Sequence, residues 1–234
     1  MTMLTTVQNF CRRTGIPVPS SVYGSSDPQV LQVMGLLEEE GNDLAVRGAW
    51  EVLTYEAAHT TVATESQGAM DDIATNGFRY IKNETIWDRT NQIPVFGPIN
   101  ATEWQTRKAT VSAGPRYEFR IRGGNLIVNP VPSAGLDWYF EYISKNWIIN
   151  GATYKQYFTN DADEILLPED LVMMGLRWRW KKEKGLEYAE DMRTYEIQVK
   201  SALGRDGGKM RLSMDNSSPY PRPGVFVPQG DWSL

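Results

Sequence analysis

Apolar positions recur every three or four residues at the start of the chain. Leu4, Val7, Phe10 and Cys11 fall on one helical face, and Gly15 and Pro17 break the run, which predicts a helix over 3–14. A Ser/Pro/Gly loop follows. At Asp27-Pro28 a carboxylate is placed to cap free N–H groups, and proline occupies the first turn, where its missing donor costs nothing. Val30, Val33, Met34, Leu37 and Leu44 then carry a second helical stripe to about Gly48.

The period changes at Trp50. WEVLTYEAAHTTVA is rich in β-branched and aromatic residues and reads as a strand. In YEFRIR-GG-NLIVNP, Tyr117, Phe119 and Ile121 alternate with charges, and Gly123-Gly124 supply the positive φ angles of a tight hairpin turn. In LDWYFEYISKNW both faces carry large side chains, so both are expected to pack. Between strand and hairpin, Asn100 and Glu103 have the spacing of a capping box and predict a short helix carrying Trp104.

Helical spacing returns after 165. Pro168, Glu169 and Asp170 suit a first turn, Lys181, Lys182 and Lys184 a last one, and Gly185 closes it. Leu171, Met174 and Trp178 share one face, with Val172 and Leu176 on the next. The stretch LRWRWKKEKG invites a nucleic-acid reading, but successive helical residues point about 100° apart, so Trp178 and Trp180 form no flat strip. A helix apolar over so much of its circumference is a buried one. Arg177 and Arg179 sit among apolar neighbours, and ion pairs across a subunit interface would explain them. A further helix places Tyr188, Met192, Tyr195, Val199 and Ala202 on one stripe, ended by Gly204.

After Arg205, prolines at 219, 221, 223 and 228 exclude helix and central strand. This segment nevertheless carries Tyr220, Phe226 and Trp232, which mark it as an arm that docks on a neighbour. The pattern therefore predicts an α+β chain: an antiparallel α-helical bundle (1–49 and 165–204), an inserted β-rich domain (50–164) and an extended C-terminal tail (205–234).

The chain has 234 residues and a formal net charge of −5, against the basic balance usual for non-specific nucleic-acid binding. Its single cysteine forms no internal disulfide. The opening residues lack a signal-peptide pattern, and no apolar run is long enough to span a bilayer, so no membrane partner is expected.

Candidate chemistry is sparse. One histidine, His59, and one cysteine do not supply a zinc site of the usual ligands. No nucleophile-elbow GxSxG is present. GRDGGK at 204–209 departs from the phosphate-loop spacing and follows a helix, not a strand. NDADE at 160–164 clusters three acids without the glycine-bearing loop of a calcium site, and a solvated turn is the better reading. No catalytic residue, metal ligand or cofactor is expected.

In order along the chain, LTTVQNFCRRTGIPVPS, GAWEVLTYEA, GFRYIKNETIWDRT, RIRGGNLIVNPVP, FEYISKNW and LLPEDLVMMGLRWRWKKEKGLEYAEDMRTYEIQV resemble the head-to-tail adaptor family of short-tailed bacteriophages, over about residues 1–212. The resemblance implies a structural virion protein and no enzyme. It implies a homo-oligomeric ring of twelve copies in the neck, assembled on the portal protein and bound to the tail nozzle protein. Genomic DNA would pass through its lumen without sequence-specific binding. Candidate docking residues are Tyr220, Phe226, Trp232, Arg177 and Arg179. Two alternatives stand beside it: a nucleic-acid-binding protein using the 177–184 helix, and a tail-associated hydrolase.

Overall fold

The computed structural model describes residues 1–109 and 116–207. Helix α1 (Met3–Thr14) starts where Thr2 Oγ1 accepts the Thr5 N–H, and ends at Gly15, whose φ of 73° is left-handed. Helix α2 (Pro28–Val46) starts where Asp27 Oδ1 accepts the Gln29 N–H at 2.8 Å. A 3₁₀ turn at Glu51–Leu53 leads into β1 (Thr54–Thr60). Just before that turn, buried Trp50 donates its Nε1–H at 2.8 Å to the Leu44 carbonyl at the end of α2, which also accepts the Arg47 N–H at 3.3 Å. The strand expected from Trp50 thus begins four residues later.

There follow β2 (Ser66–Ala69), the single turn α3 (Met70–Ile73), β3 (Phe78–Ile81), β4 (Trp87–Asp88) and β5 (Ile93–Pro94). Helix α4 (Ala101–Ala109) precedes the hairpin of β6 (Glu118–Arg122) and β7 (Asn125–Asn129). The chain continues through β8 (Asp137–Ser144), β9 (Ile148–Asn150), β10 (Thr153–Lys155) and β11 (Glu164–Ile165). Helices α5 (Glu169–Glu183) and α6 (Ala189–Leu203) complete the described order.

The hairpin forms as its glycines require, with Gly123 and Gly124 at φ 59° and 78°. Helix α4 is capped at the expected residue: Asn100 Oδ1 accepts the Glu103 N–H at 2.8 Å, and Trp104 is buried. Arg107 pairs with Glu118 of β6, fixing α4 beside the hairpin.

Strand β8 organises the largest sheet. It pairs along its whole length with β1, from Thr54↔Ile143 to Thr60↔Asp137. Its other edge is shared by β4 and β3, with β5 outside β4. The remaining described strands form two three-stranded sheets, β2-β7-β6 and β10-β9-β11, and every strand pair is antiparallel. Trp138, Phe140 and Tyr142 of β8 enter one hydrophobic core with Ala57, Phe119, Leu126 and Val128. The next residue, Ile143, belongs to the other core. The second face packs only there: Asp137 and Glu141 are exposed and Tyr139 is half-buried under the Arg89 guanidinium, so the packing expected on both faces is complete on one.

That second core corrects the expected architecture. The helices do not form an antiparallel bundle carrying an inserted domain; the chain is a β-rich mixed fold, with six α-helices and three antiparallel sheets among the described residues. The side chains that bury α1, α2 and α5 include Ile143, Trp147, Ile148, Phe158 and Ile165, which lie in or between strands. Backbone bonds from Met3 N to the Asp163 carbonyl and from Ile165 N to the Met1 carbonyl join the chain start to β11. Trp147 lies so close to α2 that a Cβ on Gly41 would stand 2.2 Å from its ring. The apolar stripes record that these helices are covered, but not that strands do much of the covering. Near the C-terminal end of α2, Arg79 of β3 donates from Nη1 to the Ala45 carbonyl at 2.5 Å, holding sheet and helix end together.

Candidate functional site

The feature of greatest chemical content is a charged cluster where α2, α5 and α6 meet. Arg179 is buried at 8 % exposure, and Glu40 opposite it has none. The guanidinium spends its donors within the chain: Nε on Glu40 Oε2 at 2.7 Å, Nη2 on Asp43 Oδ2 at 2.9 Å, and Nη1 on Glu39. Tyr195 donates its hydroxyl to Glu40 Oε1 at 2.5 Å. Burial pushes the Glu40 carboxyl up to about 7, although Arg179 and Tyr195 pull the other way. Burial, then the Glu40 carboxylate, raises the Tyr195 phenol. Arg47 extends the cluster across the helices, bonding Asp43 at 2.9 Å and Glu196 at 2.5 Å.

Local geometry explains how a carboxylate fits here. Gly175 of α5 faces Glu40, and a Cβ at that position would lie 2.0 Å from the carboxyl. Glycine in mid-helix, normally unfavourable, makes the room.

Arg179 therefore finds its ion pairs inside one chain, where the sequence suggested a subunit interface. Arg177 is different: its side chain is 60 % exposed and pairs with Asp191 of α6 at 3.0 Å. Lys181 reaches the same carboxylate, and Lys184 lies over the Trp180 ring, 4.3 Å from its centroid. Tyr220, Phe226 and Trp232 lie outside the described residues.

Beside Arg177 a groove of about 520 Å³ runs between α1 and α5. Leu186 is its exposed apolar side chain, Phe10, Met173 and Trp180 lie nearly buried beneath it, and Arg13, Arg177 and Lys181 form its basic rim. Phe10 and Trp180 meet edge to face, with centroids 5.7 Å apart.

Two of the three acids at 160–164 are staples rather than parts of a solvated turn, while Glu164 is exposed. Asp163 is wholly buried and accepts from the Thr159 and Asn160 N–H groups, Asn150 Nδ2 and Lys155 Nζ. Burial alone would raise its pKa, but these four donors outweigh that and hold it at about 2. Asp161 accepts from Ser21 Oγ and the Val22 and Tyr23 N–H groups. Among the described residues no group of three or more His, Cys, Asp or Glu is arranged to hold a metal ion. His59 lies half-buried in β1, with Nε2 3.4 Å from Gln67 Oε1. No described helix is long and apolar enough to cross a membrane.

Sequence reasoning passed over Glu39, Glu40 and Asp43. The signal was present: Glu40 continues the Val33–Leu37–Leu44 stripe of α2, and an acid on a buried stripe demands a partner. In the comparisons with known proteins, no family model matches the chain and no curated protein does.

Proposed function

We propose that this chain is a structural subunit of a short-tailed phage virion: a head-to-tail adaptor that forms a twelve-membered ring between portal and tail nozzle, with the genome passing through. The observation that carries this reading is that both arginines of the basic-aromatic helix, and Lys181, are paired within the chain. Arg177 and Lys181 are held by Asp191, and Arg179 by Glu39, Glu40 and Asp43. Phosphate contact by counterion release needs available cations, so the nucleic-acid alternative loses its main support. Surfaces fit for subunit contact remain. Helix α6 buries only Tyr195 and Val199, leaving Ile197 55 % exposed, with Val46, Leu186 and Met192 also exposed. The tail aromatics Tyr220, Phe226 and Trp232 and the exposed Arg177 are the proposed anchors toward portal or neighbour.

The test is imaging of the purified chain alone and mixed with a portal ring. Free chain should be monomeric at micromolar concentration, because ordering an arm and several side chains costs free energy that a lone neighbour does not offset. Rings should form on the portal. Failure to associate with any portal, together with salt-dependent binding to random duplex DNA, would overturn the reading in favour of the nucleic-acid alternative.

A further inference from the structure

The α1–α5 groove is open among the described residues, and its chemistry specifies its occupant. The apolar surface takes flat or branched side chains; the rim takes negative charge. Arg177 and Lys181 are already shared with Asp191, but Arg13 is exposed and makes no ion pair among the described residues. The sequence Gly230-Asp231-Trp232 offers an aromatic side chain with an acid directly beside it. Upstream, Tyr220 and Phe226 lie in a proline-rich stretch, the kind of segment that docks on aromatic-lined grooves with little loss of chain entropy.

Reach favours the same chain over a separate one. Asp191, near the start of α6, is bonded to the groove residues Arg177 and Lys181, so the groove lies at that end of the helix. The described chain leaves from the opposite end, where Asp206 accepts the Glu51 N–H at 2.9 Å. The 15 residues of α6 span about 22 Å. From Gly207 to Tyr220 the chain can extend about 45 Å, enough to return along the helix. A tethered ligand that can span the gap acts at an effective concentration far above that of free copies.

We propose that in the free subunit the segment Tyr220–Trp232 docks on its own α1–α5 groove, with Trp232 against Leu186 and Asp231 facing Arg13. This deepens the adaptor reading and rests on it for its consequence: the aromatics that would anchor the subunit to a portal are held on its own surface until a better site displaces them. Premature self-assembly is then disfavoured by occupancy of the arm.

The experiment uses the full chain. Ser233→Cys provides a site for a nitroxide label, while native Cys11 is fully buried with its thiol pushed up by burial, and stays unlabelled. In the labelled chain, amide signals of Arg13, Thr14 and Leu186 should be selectively lost, and those of Asn125 and Asn129 in β7 retained. Adding Trp232→Ala should restore the groove signals. Full groove intensity in the labelled chain with Trp232 present would overturn the proposal. A mixture of isotope-labelled chain without nitroxide and nitroxide-bearing chain without isotope should show no loss; loss there would mean that the arm seats on a second copy and would overturn the own-chain assignment. Because these measurements contain no portal, their failure is distinguishable from failure of the adaptor reading.

Discussion

Replacing Arg179 by Met removes a buried cation while keeping most of its apolar stem. Glu40, with no exposed surface, then loses its closest counter-charge. Breaking a buried ion pair from one side typically costs about 3–5 kcal/mol, because the remaining charge is left uncompensated. Glu39 and Asp43 add little, being 61 % and 38 % exposed and able to turn to water. The cost is tied to the ionisation of Glu40. In the native protein this carboxyl is raised from 4.5 to about 7, so the folded state holds its proton more tightly than the unfolded state. The associated stability is full below pH ~4.5 and declines as pH rises through 7, by about 3 kcal/mol. Without Arg179 the folded pKa moves higher, and the decline continues above pH 7. A carboxyl pushed past the ambient pH takes up a proton instead, which caps the loss tied to Glu40 at pH 8.5. Urea unfolding should therefore show Arg179→Met losing up to about 2 kcal/mol more at pH 8.5 than at pH 5, where Glu40 is protonated in both proteins. Adding Glu40→Gln should recover most of the loss at pH 8.5. Equal losses at both pH values, or no recovery in the double variant, would refute the assignment of the cost to a stranded Glu40 charge.

Asp163→Asn should remove about 2 kcal/mol at neutral pH, since a carboxylate held at about 2 contributes stability above the unfolded value near 3.8 and loses it as pH falls through 2; acid titration of the parent should show that loss and the variant should lack it. Gly41→Ala should cost about 1–3 kcal/mol by driving a methyl into the Trp147 ring, despite alanine's better helix propensity, and a raised melting temperature would contradict the close approach. Trp178→Ala should cost about 3–5 kcal/mol, whereas Lys181→Ala with Lys182→Ala should cost under about 1 kcal/mol; calorimetry showing the reverse order would sink the buried-helix assignment.

What could be read in advance was set by neighbours in sequence. Asp27 needs only Gln29, two residues on, to start α2, and Asn100 needs only Glu103 to start α4. Gly123 and Gly124 define their own turn. Contacts across long separations were not legible in the same way. The Trp147 Nε1–H bond to Asn42, the Asp161 bonds to Val22 and Tyr23, and the pairing of β11 with the chain start each join segments more than 100 residues apart. Apolar spacing states which face of a helix is covered and is silent on the identity of the cover, and the expected bundle failed at that point. The charged cluster lies between these cases. Arg179 amid apolar neighbours and Glu40 on an apolar stripe each announce a missing partner, but neither names it. Of the docking residues, only Arg177 and Arg179 can be placed, one exposed and one consumed.

The placement of Arg179 bears on what could pass along this surface. Its three carboxylate partners and Glu196 outnumber the two arginines among them, so the α2–α5–α6 junction carries a net negative charge. Three of these acids retain exposed surface: Glu39 at 61 %, Asp43 at 38 % and Glu196 at 33 %. A duplex approaching this face would meet those carboxylates, and reaching the Arg179 guanidinium would require breaking its internal pairs first. A stretch whose sequence reads as a grip is, in three dimensions, already gripping the chain itself, and its chemistry is directed to holding three helices in fixed relation.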